Sequence, residues 1–160
     1  MADTKGLADA TALRRVLLQH AHERVTVLGV PGAGKSTLAK LILGTLDMDN
    51  ILFPQLTADE RAFVFQKPWI PEVGIEMKRL AQKWIIVRPG APVFATVLLN
   101  ADLIVHLQIS DNLLRQRIVR KDRPQPFELC NGVQRQLETD ILESGIPYYE
   151  FELKEENQDR

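Results

Sequence analysis

Length, composition and charge exclude several kinds of protein before any motif is considered. With 160 residues the chain fits a single domain, which at this size buries about 70% of its unfolded surface, so we expect one domain over residues 1–160. A net charge of −1 argues against a broadly basic nucleic-acid surface, and a single cysteine, Cys130, excludes an internal disulfide or a cysteine-based zinc site. No apolar run approaches the roughly 18 residues that span a bilayer, and no secretory pattern opens the chain, so we expect a cytoplasmic protein without membrane contact.

The first predicted elements are a helix and a strand. Apolar residues recur at helical spacing from Leu7 to Ala21, which predicts a helix that packs on the core and ends near residues 20–22. Residues 25–28, Val-Thr-Val-Leu, are short, apolar and rich in β-branched side chains, as a buried strand is. A strand therefore leads directly into the glycine-rich segment that follows.

Segment 29–36, GVPGAGKS, followed by Thr37, has the spacing of a phosphate-binding loop. In such a loop backbone N–H groups surround a β-phosphate, the lysine reaches the β- and γ-phosphates, and a hydroxyl holds Mg²⁺. The strand before it, and the helical pattern at 37–43 after it, supply the context that the motif requires. We therefore expect ATP and Mg²⁺ as cofactors. The expected nucleotide-binding residues are Gly29, Pro31, Gly32, Ala33, Gly34, Lys35, Ser36 and Thr37, with Lys35 also catalytic and Ser36 the metal ligand.

A second strand is expected at residues 45–49, because an α/β domain needs one here. On a strand, Asp47 and Asp49 share one face at the carboxyl end, beside the phosphate loop. Open α/β sheets bind ligands in the crevice at the carboxyl ends of their strands. Asp47 and Asp49 are therefore candidates for contacting an acceptor or a Mg²⁺-bound water, and solvated turn aspartates are the alternative.

Residues 50–83 have the pattern of a small helical insertion. Thr57 and Glu60 form a capping box that starts a short helix through Gln66, and a second helix is expected over about 72–82. A helical insertion between two strands is a natural place for an acceptor-binding lobe.

The next strands are predicted from apolar runs. Residues 84–87, Trp-Ile-Ile-Val, end at Arg88-Pro89-Gly90 and resemble a central parallel strand, with a short helix following at 92–99. Residues 103–109 give the strongest strand signal in the chain. His106 lies inside that strand, where a core histidine is the more common occurrence.

The region after residue 109 is basic and then interrupted by prolines. Ser110 is a good N-cap for a helix over about 111–122 that is basic toward its end. Arginines after the fourth predicted strand would face the nucleotide if that helix starts at the carboxyl edge of the sheet. Arginine suits that role because its planar fork pairs two phosphate oxygens, although a basic helix end also complements its own dipole. A proline-bounded loop through residue 132, a last helix and a strand at 148–153 complete the chain. Five strands alternating with helices predict an α/β fold with one parallel sheet covered on both faces.

Four segments together resemble the nucleotide-kinase-like branch of P-loop proteins, which includes nucleoside monophosphate kinases and the short-lid shikimate and gluconate kinases. They are GVPGAGKST, ADLIVHLQIS, LLRQRIVRKDRP and GIPYYEFEL. The resemblance implies a three-layer P-loop NTPase fold with a short lid at about 123–132. In it Arg117, Arg120 and Arg123 sit where lid arginines close over the phosphates. Arg135 lies where the family often has a second lid-side arginine. Leu46-Asp47-Met48-Asp49 is similar to the aspartate segment on the acceptor side in the small-metabolite kinases.

One feature departs from that family. Monophosphate kinases usually end the third strand with an aspartate and glycine, whereas Arg88 follows the predicted strand here. Three alternatives remain: Asp47 or Asp49 supports the metal, Arg88 binds the acceptor's phosphate, or the site is weak.

The expected activity is ATP-dependent transfer of a phosphoryl group to a small acceptor, a nucleotide or nucleoside above all. A small-metabolite kinase and a P-loop ATPase or regulatory module are alternatives. A nucleic-acid kinase is disfavoured by the overall charge, although the basic helix could contact a nucleic-acid backbone. The sequence leaves the acceptor and the oligomeric state undetermined.

Overall fold

A five-stranded parallel sheet lies at the centre of the computed structural model, which describes residues 7–31, 33–66, 70–119 and 127–154. The strands are β1 Val25–Leu28, β2 Leu46–Asp47, β3 Val93–Ala95, β4 Leu103–Gln108 and β5 Tyr148–Glu152. Their order across the sheet is β2-β3-β1-β4-β5, and every neighbouring pair is parallel. The predicted α/β fold class is therefore confirmed.

Helices cover both faces of this sheet. They are α1 Leu7–Gln19, α2 Lys35–Leu41, α3 Met48–Leu52, α4 Ala58–Val64, α5 Pro71–Trp84, α6 Asp111–Val119 and α7 Phe127–Ser144, with a 3₁₀ turn at Phe53–Gln55. The connection from β1 to β2 crosses the sheet in one direction, whereas the connections from β2 to β3 and from β4 to β5 cross it in the other. Since such connections are right-handed, α2 lies on one face of the sheet, and α5 and α7 lie on the other. In agreement with this, Lys78 of α5 lies 3.4 Å from Asp140 of α7. Helix α1 packs against α2.

The core lies in the middle of the sheet. Strands β1 and β3 are buried at every residue, and β4 is buried at all but its last. Val27, Ile104 and Leu107 are fully buried, and each such side chain stabilises the fold by roughly 1.5–3 kcal/mol through removal from water. This rigid centre fixes the positions of the loops that leave the strands.

Two predicted helix starts are confirmed by their caps. The Thr57 hydroxyl accepts the Glu60 N–H at 3.1 Å, and the Glu60 carboxylate accepts the Thr57 N–H at 2.8 Å. The Ser110 hydroxyl accepts the Leu113 N–H at 3.1 Å at the start of α6. Helices α4 and α5 lie within the segment 50–83, and residues 67–69 lie outside the described residues. None of the described helices is both long and apolar enough to cross a bilayer.

The predicted third strand is wrong. Trp84 ends α5, and the Ile85 N–H continues the helical pattern by donating to Ala81 O at 2.9 Å. The strand that pairs with β1 is Val93–Ala95, inside the segment predicted to be a helix. Both segments are short apolar runs, and periodicity within such a run cannot tell which of them joins a sheet.

Two smaller boundaries also differ. Strand β2 ends at Asp47, whose side chain accepts the Asp49 N–H at 3.0 Å and caps α3, so Asp49 lies on a helix rather than on a strand face. Helix α7 begins at Phe127, so residues 127–132 of the predicted lid are helical, and residues 120–126 lie outside the described residues.

Candidate active site

The phosphate loop leaves the carboxyl end of β1 through a tight space at its first position, Gly29. The Gly29 N–H donates to Ala95 O of β3 at 3.1 Å, and a Cβ on Gly29 would lie 3.2 Å from Leu107 Cδ1 of β4. At the other end of the loop Gly34 has φ +98°, a left-handed conformation that glycine adopts without the strain other residues carry. Two glycines of the motif are thus explained by local geometry, and Gly32 lies outside the described residues.

The lysine of the motif lies against the loop that precedes it. Lys35 opens α2, and its Nζ donates to Val30 O at 2.7 Å, across the loop. The next two residues, Ser36 and Thr37, are exposed in the first turn of the helix. An ammonium and two hydroxyls therefore stand at one end of the loop, where the motif requires them.

A carboxylate from the neighbouring part of the sheet meets the loop hydroxyl. Asp47 Oδ2 lies 3.5 Å from Ser36 Oγ, and Asp47 sits at the carboxyl end of β2. A hydroxyl and a carboxylate are hard oxygen ligands of the kind that Mg²⁺ prefers. Ser36 and Asp47 together therefore fit a magnesium site beside the loop.

Asp49 shares the electrostatic environment of this pair. Desolvation of its carboxyl raises the pKa of Asp49, the negative charge of Asp47 raises it further, and the Lys35 ammonium opposes both effects. Asp49 therefore interacts electrostatically with both Asp47 and Lys35. A carboxylate with a raised pKa is a better proton acceptor than an ordinary one.

Arg117 contacts the phosphate loop from the side of α6. Its Nη1 donates to Ala33 O, and its Nη2 lies 3.9 Å from Asp9 Oδ2. Of the other predicted arginines, Arg120 and Arg123 lie outside the described residues. Arg135 is exposed on α7, and none of the described hydrogen bonds or ion pairs joins it to the loop.

Asp9 is the residue of this region that the sequence did not single out. Both of its carboxylate oxygens accept the Lys154 N–H at 3.2 Å, just beyond β5, and the residue is 5% exposed. Burial raises the pKa of Asp9, while the Lys154 N–H and the Arg117 charge lower it. The available signal was its position on the same helix face as Leu13 and Leu17, both buried.

Arg88 lies at the opposite end of the sheet, which corrects its placement as the residue ending the third strand. It forms an antiparallel bridge with Ala91, and its neighbour Pro89 bridges Arg24, the residue before β1. Strand β3 ends instead at Ala95, followed by Thr96. The structure thus removes Arg88 from the crevice and leaves Asp47 as the described carboxylate beside Ser36.

The helical insertion carries a cleft of about 280 Å³ between α4 and α5, lined by Phe63, Glu72, Ile75 and Glu76. The Glu76 carboxylate is bonded by the Arg79 guanidinium at 2.8 and 2.7 Å, and Glu72 is exposed. An apolar surface with carboxylates lines this cleft.

Comparisons with known proteins give structural matches only: no protein-family model and no curated protein matches the chain. A gluconokinase from Sinorhizobium meliloti 1021 is 17% identical with a TM-score of 0.54, covering 82% of this chain and 84% of that chain. A shikimate kinase from Bacteroides thetaiotaomicron is 17% identical with a TM-score of 0.50, covering 86% and 89%. A deoxyadenosine kinase from M. mycoides with bound dATP is 16% identical with a TM-score of 0.49, covering 81% and 90%. The first two matches confirm the predicted P-loop kinase-like fold.

Proposed function

We propose that the protein is an ATP-dependent phosphotransferase that binds ATP with Mg²⁺ at the phosphate loop and transfers the γ-phosphoryl group to a small acceptor. The observation that carries the proposal is the approach of Asp47 Oδ2 to Ser36 Oγ, at 3.5 Å, beside the loop that holds Lys35. A phosphate loop by itself is shared by kinases, ATPases and switches. A carboxylate from the end of the next strand adds the second part of a metal site and one wall of a crevice.

The loop and its lysine would act mainly by electrostatics. Phosphoryl transfer needs positive charge around the oxygens of the moving group and little covalent chemistry from the protein. Loop N–H groups and the Lys35 ammonium supply that charge, and Ser36 and Asp47 would hold the metal. Mg²⁺ held there would supply positive charge that offsets the negative charge of the phosphates. Arg120 and Arg123 would add further charge from the lid.

The two aspartates favour an acceptor with a hydroxyl group, such as a nucleoside, over an acceptor that already carries a phosphate. Asp47 and Asp49 place negative charge at the crevice, and like charges repel a phosphate acceptor. In the proposed step the acceptor oxygen bonds to the γ-phosphorus, and the bond from that phosphorus to the bridging oxygen of ADP breaks. The hydroxyl proton passes to the Asp49 carboxylate, which acts as the base.

Transfer from labelled ATP with Mg²⁺ to a panel of acceptors tests this function. The panel holds nucleosides, nucleoside monophosphates, sugar acids and an oligonucleotide with a free 5′-hydroxyl. We expect label on a small hydroxyl acceptor, whereas label released only to water with every acceptor would favour an ATPase or regulatory module instead.

Lys35→Ala is the sharpest variant for this proposal. Loss of the ammonium should reduce transfer at least 100-fold, in line with removal of one preorganised charge-stabilising group. Lys40→Ala, in the last turn of the same helix, is the matched control and should transfer at the wild-type rate. Both variants should melt at nearly the wild-type temperature, and wild-type turnover in Lys35→Ala would overturn the proposal.

A further inference from the structure

Arg117 joins the phosphate loop to two distant parts of the chain. Its guanidinium contacts Ala33 in the loop and Asp9 in α1, and Asp9 in turn accepts the N–H of Lys154 after β5. The side chains of Arg117 and Asp9 are 13% and 7% exposed. A buried charge is costly unless it is paired, so each of these two groups depends on the other.

The contact with Ala33 has a direct effect on the geometry of the loop. A peptide unit is planar and trans, so its C=O and N–H groups point in opposite directions. Since Arg117 Nη1 binds the Ala33 carbonyl, the N–H of Gly34 in the same peptide unit points away from Arg117. Backbone N–H groups of this loop are the groups that surround a phosphate.

The loop leaves little space between Gly34 and the guanidinium. A Cβ on Gly34 would lie 3.1 Å from Arg117 Nη1, and Ala33 is completely buried. Arg117 therefore packs directly on the turn that starts α2. On its other side, Arg117 Nη2 lies 3.9 Å from Asp9 Oδ2.

We propose that Asp9 is a positioning residue, which acts through Arg117 to hold the phosphate loop in the conformation that binds nucleotide. This inference rests on the proposed nucleotide-binding function of the loop. It assigns Arg117 to the loop backbone, and it makes nucleotide affinity depend on α1 and on the segment after β5. A phosphate-binding lid arginine would behave in the opposite way, because removal of Asp9 would release it toward the nucleotide.

Asp9→Asn is the test variant, since asparagine keeps the size and an acceptor for the Lys154 N–H but removes the charge. We expect the Kd for MgATP, measured by calorimetry, to rise about tenfold, equivalent to about 1.4 kcal/mol. Hydrogen exchange of the amides of residues 33–35 should accelerate about tenfold in the nucleotide-free protein. In an Arg117→Met background, Asp9→Asn should produce no further change in Kd, and Arg117→Lys should restore part of the affinity lost in Arg117→Met.

Asp102→Asn is the matched control. The Asp102 carboxylate also accepts a backbone N–H, from Arg24 at 3.0 Å, and bonds the Arg24 guanidinium at 2.8 Å, but at the amino end of the sheet. It should leave both the Kd and the loop exchange unchanged.

Two results would overturn the inference. A Kd and loop exchange unchanged in Asp9→Asn, with only a lower melting temperature, would make Asp9 a purely structural residue, and tighter MgATP binding would make Arg117 a phosphate ligand. Failure of the wild-type protein to bind MgATP would instead contradict the proposed function, and loop exchange would still test the role of Asp9. If Asp9→Asn does not fold, Arg117→Lys and Arg117→Met give the same comparison, and equal affinity in both would contradict the inference.

Discussion

Two arginine–aspartate pairs stand at opposite ends of the sheet and differ in their surroundings rather than in their chemistry. Arg117 and Asp9 meet at the carboxyl end, with side chains 13% and 7% exposed, whereas Arg24 and Asp102 meet at the amino end, 34% and 45% exposed. Each carboxylate also accepts a backbone N–H. The same kinds of partner therefore surround one carboxylate that is buried and one that is exposed to solvent.

The pKa shifts of the two carboxyls have opposite directions for this reason. The Arg24 hydrogen bond lowers the pKa of Asp102, while desolvation by burial raises the pKa of Asp9 against the influence of Arg117. Water screens the exposed pair and leaves it little net effect on stability. Breaking a buried pair costs on the order of 3–5 kcal/mol, because a charge is left without a partner. The buried pair, Arg117 and Asp9, lies beside the phosphate loop, which points to a role beyond stability.

The largest expected difference between the two ends of the sheet is in catalysis. Asp47→Asn, at the carboxyl end, should lower phosphoryl transfer about 100-fold, as loss of one charged group in such a site does. It should also raise the Mg²⁺ concentration needed for half-maximal rate, because asparagine carries no charge for the cation. Asp102→Asn should change neither quantity by more than about twofold, a margin typical of a screened surface pair. Equal losses in both variants, measured by a coupled ADP assay, would contradict the magnesium site.

Two glycines with positive φ allow a smaller and equally direct comparison. Gly34 has φ +98° in the phosphate loop, and Gly90 has φ +79° at the amino end. Alanine at either position should cost about 1–2 kcal/mol of stability, from the left-handed backbone alone. Gly34→Ala should in addition weaken MgATP binding, since its Cβ would meet Arg117 Nη1 at 3.1 Å, whereas a Cβ on Gly90 meets Ala21 O only at 3.5 Å. Unfolding in urea measures the loss of stability, and calorimetry measures the Kd for MgATP. A higher Kd in Gly90→Ala would contradict the prediction that only the alanine at position 34 weakens binding.

The smallest predicted effect is a pair of pH dependences with opposite signs. Asp102 has a folded pKa below its ordinary 3.8, so its contribution to stability is present above pH 3.8 and is lost as the pH falls through the folded value. Asp9 has a folded pKa above 3.8, so the folded state binds more protons, and its contribution to stability decreases as the pH rises from 3.8 through the folded value. Urea unfolding from pH 3 to 7 measures both.

The two asparagine variants isolate these slopes. The free energy of unfolding of the wild type minus that of Asp102→Asn should increase with pH up to about pH 4, the range set by the ordinary carboxyl pKa, and then level off. The free energy of unfolding of the wild type minus that of Asp9→Asn should decrease as the pH rises above 3.8. The same sign in both differences would show that burial does not dominate the environment of Asp9.

The elements predicted correctly from sequence are those set by neighbours in the chain. The phosphate loop between a strand and a helix, the Thr57–Glu60 capping box and the Ser110 cap all depend on residues a few positions apart. Strand β4 was predictable because its apolar run is long enough to leave no competing segment. The roles of Arg120, Arg123 and Arg135 stay predictions.

The predictions that were wrong concern elements whose position depends on pairing with residues far away in the sequence. Whether 84–87 or 93–95 became β3 was decided by pairing with Thr26, Val27 and Leu28 of β1, since both segments are short and apolar. That choice also moved Arg88 to the amino end of the sheet and away from the crevice.

The sequence by itself determined that this protein has a loop with the spacing of the phosphate-binding motif on an α/β sheet, because glycine spacing and apolar periodicity are properties of adjacent residues. Only the tertiary structure decided which charges reach that loop. Asp47 approaches Ser36 through the pairing of β2 with β3, and Asp9 meets Arg117 through the packing of α1 beside the end of β5. A carboxylate's partner and its contact with water are set by residues brought together in space, and no local pattern specifies them.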